Sequence, residues 1–293
     1  MKISAGARHM LASAFFFSVM SFLVKLAGER LPSQEIVVVR SFVTLLLSAL
    51  ALARARISPW RRHPGLLLLR GLLGTAALSC FYYALTELPL AVVTVLHYLN
   101  PPLAALLAWV FLRERPHRTL FASLALCLLG TLFVTRPLTL FGTTSTPLLP
   151  LLAAIAGAFF SAAAYVNVRS LAAREPALVI VFYFPLVALP LSLPTMGPQA
   201  VWPVGYEWLV LLGVGVSTQL GQIHLTRGLA SEAAGRATAI SYTQVVFAAL
   251  WGAMWFDERP DPWTVAGAVL VLAGTWLAAR PVASTDPSDA LRA

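Results

Sequence analysis

Residues Leu96–Pro137 read LHYLNPPLAALLAWVFLRERPHRTLFASLALCLLGTLFVTRP, and the chain carries this stretch twice. Shifted by 144 positions it aligns without a gap on Ile240–Pro281, ISYTQVVFAALWGAMWFDERPDPWTVAGAVLVLAGTWLAARP. About 14 of the 42 pairs are identical, among them Tyr98/Tyr242, Glu114/Glu258, Arg115/Arg259, Pro116/Pro260, Gly130/Gly274 and Arg136/Arg280. Self-similarity at a fixed offset marks an internal repeat. A unit half the chain long excludes a solenoid and divides the protein into two homologous halves.

The repeated stretch is apolar, and so is everything around it. The 293 residues are 59% hydrophobic and 11% charged, with a mean hydropathy of +0.79. A water-facing domain carries roughly 25% charged residues, so this chain cannot cover a soluble surface. It is built instead from apolar runs of about 18 to 22 residues, each able to cross a hydrocarbon layer of roughly 30 Å. The alternating ten-residue segments of a membrane β-barrel are absent. The runs are Leu11–Ala27, Glu35–Leu52, Leu66–Leu85, Ala91–Leu112, Arg118–Val134, Leu148–Arg169, Ala177–Leu193, Tyr206–Leu225, Ala233–Trp255 and Trp263–Ala279. The first also fits a signal peptide, but cleavage would remove the repeat-mate of a later helix.

Ten runs give five per half, and five is odd, so the second half must start on the opposite side of the membrane. The expected fold is an all-α membrane protein with ten transmembrane helices arranged as two inverted five-helix repeats. The first repeat covers residues 1–140 and the second residues 145–283; residues 284–293 form a short cytoplasmic tail. With both termini cytoplasmic, the inner side holds sixteen of the 21 Lys and Arg residues and the outer side five: Lys25, Arg30, Arg40, Arg136 and Arg259. This is a positive-inside bias. The net charge of +9 therefore marks cytoplasmic loops and no nucleic-acid partner. Cys80 and Cys127 lie inside apolar runs and form no disulfide framework or metal-ligand spacing. No CxxC, HExxH, GxGxxG or P-loop motif supports an enzyme, a metal or a cofactor.

Ten helices in two halves, each with an L/F-x-E-R-P loop and an LxxxG run before Arg-Pro, resemble the EamA-type drug/metabolite transporters. Arg70-Gly71-Leu72-Leu73-Gly74, the Tyr82-Tyr83 pair and Glu114 add to the resemblance. It implies a multi-pass protein of the bacterial inner membrane in which helices 1, 3, 4, 6, 8 and 9 surround a central cavity. It also implies secondary transport of a small solute, mostly outward.

Polar residues inside membrane helices face the protein interior or a watery path. Thr94, His97, Tyr98 and Pro101 form one face of helix 4, and Thr238, Ser241, Tyr242 and Val245 form the matching face of helix 9. Helix 3 gives Thr75, Ser79 and Tyr82 on a stripe, with Tyr83 beside it; helix 8 gives Gln219, Gln222 and Thr226, with His224 nearby. Helix 6 adds Ser161 and Tyr165, and helix 1 adds Ser18. The expected substrate-binding set is Tyr82, Tyr83, His97, Tyr98, Asn100, Tyr165, Gln219, Gln222, Ser241 and Tyr242. Any single serine or threonine serves equally well as packing glue between helices. The Asn100-Pro101-Pro102 step kinks helix 4 and frees carbonyls near His97 and Tyr98, as solute ligands or as a passive bend. Lys25 and Arg40 are read as chains that snorkel to the outer interface. Glu114 and Glu258 are read as loop ion pairs and caps, or as gate salt bridges.

No acidic residue falls mid-helix, which disfavours a lipophilic-cation/proton antiporter. If protons couple to transport, His97 is the carrier. The sequence thus predicts a secondary transporter that moves a small polar metabolite, an amino acid or related solute, by alternating access, with export favoured by the resemblance. An importer or exchanger of an organic anion, vitamin or nucleotide-like metabolite is the alternative, and a membrane enzyme acting on lipid-linked substrates the different-class one. Its partners are the small-molecule substrate and the lipid bilayer; monomer and homodimer both remain open.

Overall fold

The structure is a computed structural model that describes residues 4–60, 62–88, 93, 96–114, 116–135, 148–197, 201–255 and 262–279. Every element among them is helical: α1 (Ala5–Ala27), α2 (Ser33–Arg54), α3 (Pro64–Glu87), α4 (Asn100–Leu112), α5 (Arg118–Thr135), α6 (Leu148–Ala172), α7 (Ala177–Ser192), α8 (Glu207–Ser231), α9 (Ala234–Ile240), α10 (Thr243–Trp255) and α11 (Pro262–Ala279). Seven stretches, with Ala234–Trp255 counted as one, are long and apolar enough to cross a membrane, while α4, α5 and α11 are apolar but shorter. The perimeter is greasy: Leu209 and Phe111 are 72% exposed and Met254 71%. A surface of that kind suits lipid and not water.

Local chemistry sets the helix ends. Ser4 caps α1 by accepting the Ala7 amide at 3.1 Å. Proline precedes or opens α2, α3, α4, α7 and α11 (Pro32, Pro64, Pro101, Pro176 and Pro262), where its missing N–H leaves no helical bond unmade. Pro185 and Pro190 fall inside α7, and Pro194 lies in the 3-10 turn that stops at Gly197.

Two ends of the bundle are defined by polar ties. At one, Ser4 donates to Glu232, His63 meets Glu175 at 2.9 Å, and Arg169 pairs with Glu114. At the other, Arg30 pairs with Glu207 and donates to the Trp202 carbonyl, and Glu35 accepts the Val201 amide at 2.9 Å. Helices α1 and α8 therefore run antiparallel between them.

The packing repeats under exchange of halves. Helix α1 lies mainly on α8 and α6 mainly on α3, which are the same pair with the halves swapped; α2 meets its mate α7, and α5 meets its mate α11. The last crossing shows this atom by atom. A Cβ on Gly130 would meet the Gly267 carbonyl at 2.6 Å and Val271 at 2.8 Å. One on Gly274 would meet Cys127 Sγ at 2.5 Å and the Ser123 carbonyl at 2.8 Å. Ser123 and Cys127 are the repeat-mates of Gly267 and Val271, so each glycine admits the counterpart of what the other admits. Ser123 also donates to the Gly274 carbonyl at 2.8 Å. Gly213, Gly215 and Gly221 in α8 likewise face Leu23, Val43 and Phe17, which gives them a packing role.

One expectation needs correction. The run Ala91–Leu112, expected to kink at its prolines, lapses at the repeat tyrosine, at Tyr98-Leu99, but Ala233–Trp255, read as one unbroken run, lapses at the matching Ser241-Tyr242 as well. Prolines 101 and 102 explain the first. The second has none: there Thr238, Ser241 and Thr243 donate to carbonyls three or four residues back, at 2.6 to 2.8 Å, and compete with the helical amides.

Gly130→Ala and Gly274→Ala should each destabilise the protein by about 1–3 kcal/mol through overpacking against backbone. Gly65→Ala, where a Cβ meets nothing within 4 Å, should not. Thermal unfolding in detergent measures all three.

Candidate functional site

The two helix breaks meet. The Tyr98 and Tyr242 rings stack with centroids 5.2 Å apart and planes 21° from parallel. Tyr242 is fully buried, and its hydroxyl donates to the Tyr98 carbonyl at 2.5 Å. That carbonyl would normally accept the amide four residues on, but residue 102 is proline and has none. The carbonyl freed by the proline step is thus used within the protein.

Beside the stack lies a cavity of about 60 Å³ lined by Ser13, Phe17, His97, Tyr98, Asn100, Tyr165, Leu225, Ser241 and Gln244. It draws on α1, the α4 break, α6, α8 and the α9–α10 break, so both halves build it. Five of the ten expected site residues, His97, Tyr98, Asn100, Tyr165 and Ser241, line it together. At this volume it holds a few waters and no larger solute. Its walls are partly spoken for: Ser13 donates to the Gly221 carbonyl at 3.0 Å, Ser241 to the Thr238 carbonyl at 2.6 Å, and His97 packs edge-on against Phe81 with centroids 4.9 Å apart. Asn100 is buried, and its Oδ1 has no hydrogen-bond partner among the described residues.

The remaining expected residues are placed differently. Tyr242 is a structural clamp under the cavity wall and does not line it. Gln219 is buried, accepts from Ser48 at 3.1 Å, and its Nε2 has no partner among the described residues. Gln222, one turn from the lining Leu225, accepts from Arg70 Nη2 at 3.2 Å. Tyr83 is 42% exposed on the perimeter; one residue past the inward stripe is a rotation of about 100° around a helix. The side chain of Tyr82 and all of Thr94, Arg115, Arg136 and the Asp257–Pro260 loop lie outside the described residues. Thr75 and Thr226 bond carbonyls of their own helices, at 2.8 Å each, and Ser18 donates to Phe15 and accepts from Trp251. These hydroxyls are packing groups.

Sequence reading missed Arg70 as a site residue by counting it with the inner interface. It is 3% exposed, six residues inside α3, with its guanidinium carbon 4.9 Å from the centre of the Phe184 ring. Gly74 makes the space: a Cβ there would stand 2.4 Å from Arg70 Nη1 and 2.8 Å from the Phe184 ring. The arginine's acceptor Gln222 lies one turn from Leu225 of the cavity wall, which places Arg70 in the same interior. The signal was an arginine one turn before a glycine in an apolar run. Arg40 also departs from expectation. It is 8% exposed and 5.9 Å from the same ring, so it turns inward and does not snorkel, while Lys25 is exposed as expected.

Glu114 does more than close a loop. It accepts from Arg169 Nε at 2.8 Å and from the Ala234 amide at 2.9 Å, capping α9 of the other half. Arg169 in turn donates to the carbonyls of Leu229 and Ala230 at the end of α8. This four-way tie borders a cleft of about 290 Å³ between α4, α5, α9 and α11 at the Ser4 end.

The model of the EamA-like transporter family matches the chain twice, over residues 5–136 and 148–280. The pseudopaline exporter CntI of Pseudomonas aeruginosa (strain UCBPP-PA14) is 36% identical over 271 residues, covering 92% of this chain and 94% of that one. Human solute carrier family 35 member G1 is 30% identical over 92% of this chain and 77% of its own length. A solved crystal structure superposes with a TM-score of 0.83 at 21% identity, covering 94% of this chain and 97% of the other.

Tyr242→Phe keeps the stacked ring but strands the buried Tyr98 carbonyl, and should cost about 1–3 kcal/mol in thermal unfolding. Tyr98→Phe, which leaves that hydrogen bond in place, should cost little.

Proposed function

Because the chain belongs to the EamA-like transporter family, we propose that it exports a small polar metabolite across the bacterial cytoplasmic membrane by alternating access. It is a multi-pass membrane transporter and not an enzyme, which removes the lipid-linked-substrate reading. In this proposal ten transmembrane helices form two inverted five-helix repeats, residues 1–140 and 145–283, and rock about the shared axis of the Tyr98–Tyr242 stack and the Gly130–Gly274 crossing. The observation that carries it is the cavity at the junction of the two helix breaks, walled by both halves. Polar groups of discontinuous helices at the interface of two repeats are the usual address of a transported solute.

Both termini face the cytoplasm in this reading. With Arg70 and Arg40 removed as interior residues, the basic count becomes 16 − 1 = 15 inside against 5 − 1 = 4 outside, and the bias stands. The Glu114–Arg169 tie then sits at the cytoplasmic face and acts as a gate that opens when the cavity loads from inside. Tyr98, Asn100, Tyr165, Gln219 and Gln222 contact the solute, and His97 is the group through which proton coupling would run. The solute class of the pseudopaline exporter is the first to test, on the strength of that relative's similarity along nearly the full chain.

Expression of this chain in cells lacking their pseudopaline exporter should restore release of pseudopaline into the medium. Tyr165→Ala and Asn100→Leu should abolish release at equal membrane abundance, with both quantities followed by mass spectrometry and immunoblot. Release that no cavity substitution affects would sink the site assignment. An inert wild type would exclude pseudopaline and shift the assay to amino acids and other polar metabolites.

A further inference from the structure

Arg70 is the most deeply buried arginine among the described residues. It lies inside an apolar helix, 3% exposed, and a cation there is costly unless something neutralises it. Nothing among the described residues does. Each buried glutamate sits at an end of the bundle with its own partner: Glu35 with Val201, Glu175 with His63, Glu207 with Arg30, and Glu232 with Ser4 and Arg236. Arg70 has only a neutral acceptor, Gln222 Oε1, and the face of the Phe184 ring. Its Nε is buried without a hydrogen-bond partner among the described residues.

A second unmatched donor stands on the facing helix. Gln219 Nε2, one turn from Gln222 on α8, is also buried and unpaired. The oxygen of each glutamine is already engaged, Gln219 by Ser48 and Gln222 by Arg70, and the atom left without a partner among the described residues is the Gln219 Nε2 donor. A guanidinium whose Nε has no acceptor and whose only hydrogen-bond acceptor among the described residues is a neutral amide, beside an unpaired amide N–H, defines the complement they need in a water-poor interior: a planar anion with two acceptor oxygens. The orphaned acceptor Asn100 Oδ1, on the cavity wall, supplies the opposite preference.

We propose that Arg70, with Gln219 and Gln222, is a membrane-embedded receptor for a carboxylate of the transported solute. Asn100 takes an N–H donor of the same molecule at the cavity. The inference rests on the transporter reading above and narrows its substrate class to carboxylate-bearing polar metabolites. Gly74 is a positioning residue, since any side chain there occupies the space of the guanidinium.

The test is a titrated thermal shift of the detergent-purified full chain with paired probes: succinate against succinamide, and L-phenylalanine against phenethylamine. A ligand of the folded state raises its melting temperature by mass action. The carboxylate of each pair should stabilise the protein and its counterpart should not. Arg70→Gln should weaken the carboxylate response about 10- to 100-fold, as expected for loss of a charge-assisted pair. Arg70→Lys should keep part of it, and Gly74→Val should mimic Arg70→Gln. Gln219→Leu, which leaves the arginine in place, keeps the proposal testable if the Arg70 variants fail to fold, and should weaken the response by about three- to tenfold. An equal response to the uncharged or amine probes, a carboxylate response unchanged in Arg70→Gln or Gln219→Leu, or none from the wild type at tens of millimolar would overturn the receptor. The cellular release assay is read in parallel. Release retained without any carboxylate effect overturns the receptor alone, whereas loss of release for every solute overturns the transporter reading.

Discussion

A backbone carbonyl that loses its helical donor inside a bilayer has no water to turn to. This constraint organises the centre of the molecule. Pro102 removes the amide that the Tyr98 carbonyl would use, and Tyr242 from the other half replaces it. The replacement demands that the two broken helices meet, that their tyrosines stack, and that α5 and α11 cross closely enough to let them. Gly130 and Gly274 allow that approach. The cavity is what remains beside a contact whose geometry the backbone dictates.

Polar groups in the interior fall into two kinds. Serine and threonine hydroxyls mostly fold back on carbonyls of their own helix, as Thr75, Thr218, Thr226 and Thr238 do. Such bonds satisfy the hydroxyl locally and commit it to nothing else. Amide and guanidinium groups are larger and carry more hydrogen-bonding atoms, donors and acceptors both, than one local carbonyl can satisfy. Arg70, Asn100, Asn167 and Gln219 accordingly hold the buried polar atoms left unpaired. Unspent hydrogen-bonding capacity lies with this second kind.

The two halves and the apolar runs were legible because they are periodic: an offset of 144 residues and spans of membrane length need no tertiary knowledge. Half of the expected site residues also meet at the cavity, because an inward stripe on each repeat-mate must face a shared interior. What the sequence hid depends on partners. Nothing in Ser241-Tyr242 distinguishes a helix break from a continuing helix, since the lapse comes from hydroxyls competing for carbonyls and from a tyrosine drawn toward another chain segment. Arg70 reads as interfacial by its distance from the run's start, and only Phe184 and Gln222, over a hundred residues away, show that it turns inward. Tyr83 lies on the perimeter for the simplest reason, a rotation by one residue about the helix.

The prolines occur in one half only. Where the first repeat has Pro101 and Pro102, the second has Val245 and Val246, and there the Val245 amide still reaches the Tyr242 carbonyl at 2.9 Å. One copy of the tyrosine therefore carries a structural duty and the other does not. In a chain built from two copies of one ancestral unit, this division releases a residue from the task that preserved it. The hydroxyl of Tyr98 takes no part in the bond from Tyr242 to the Tyr98 carbonyl and is released to vary, while that of Tyr242 is bound to the fold. One member of the pair can thus change without risk to the scaffold held by its twin.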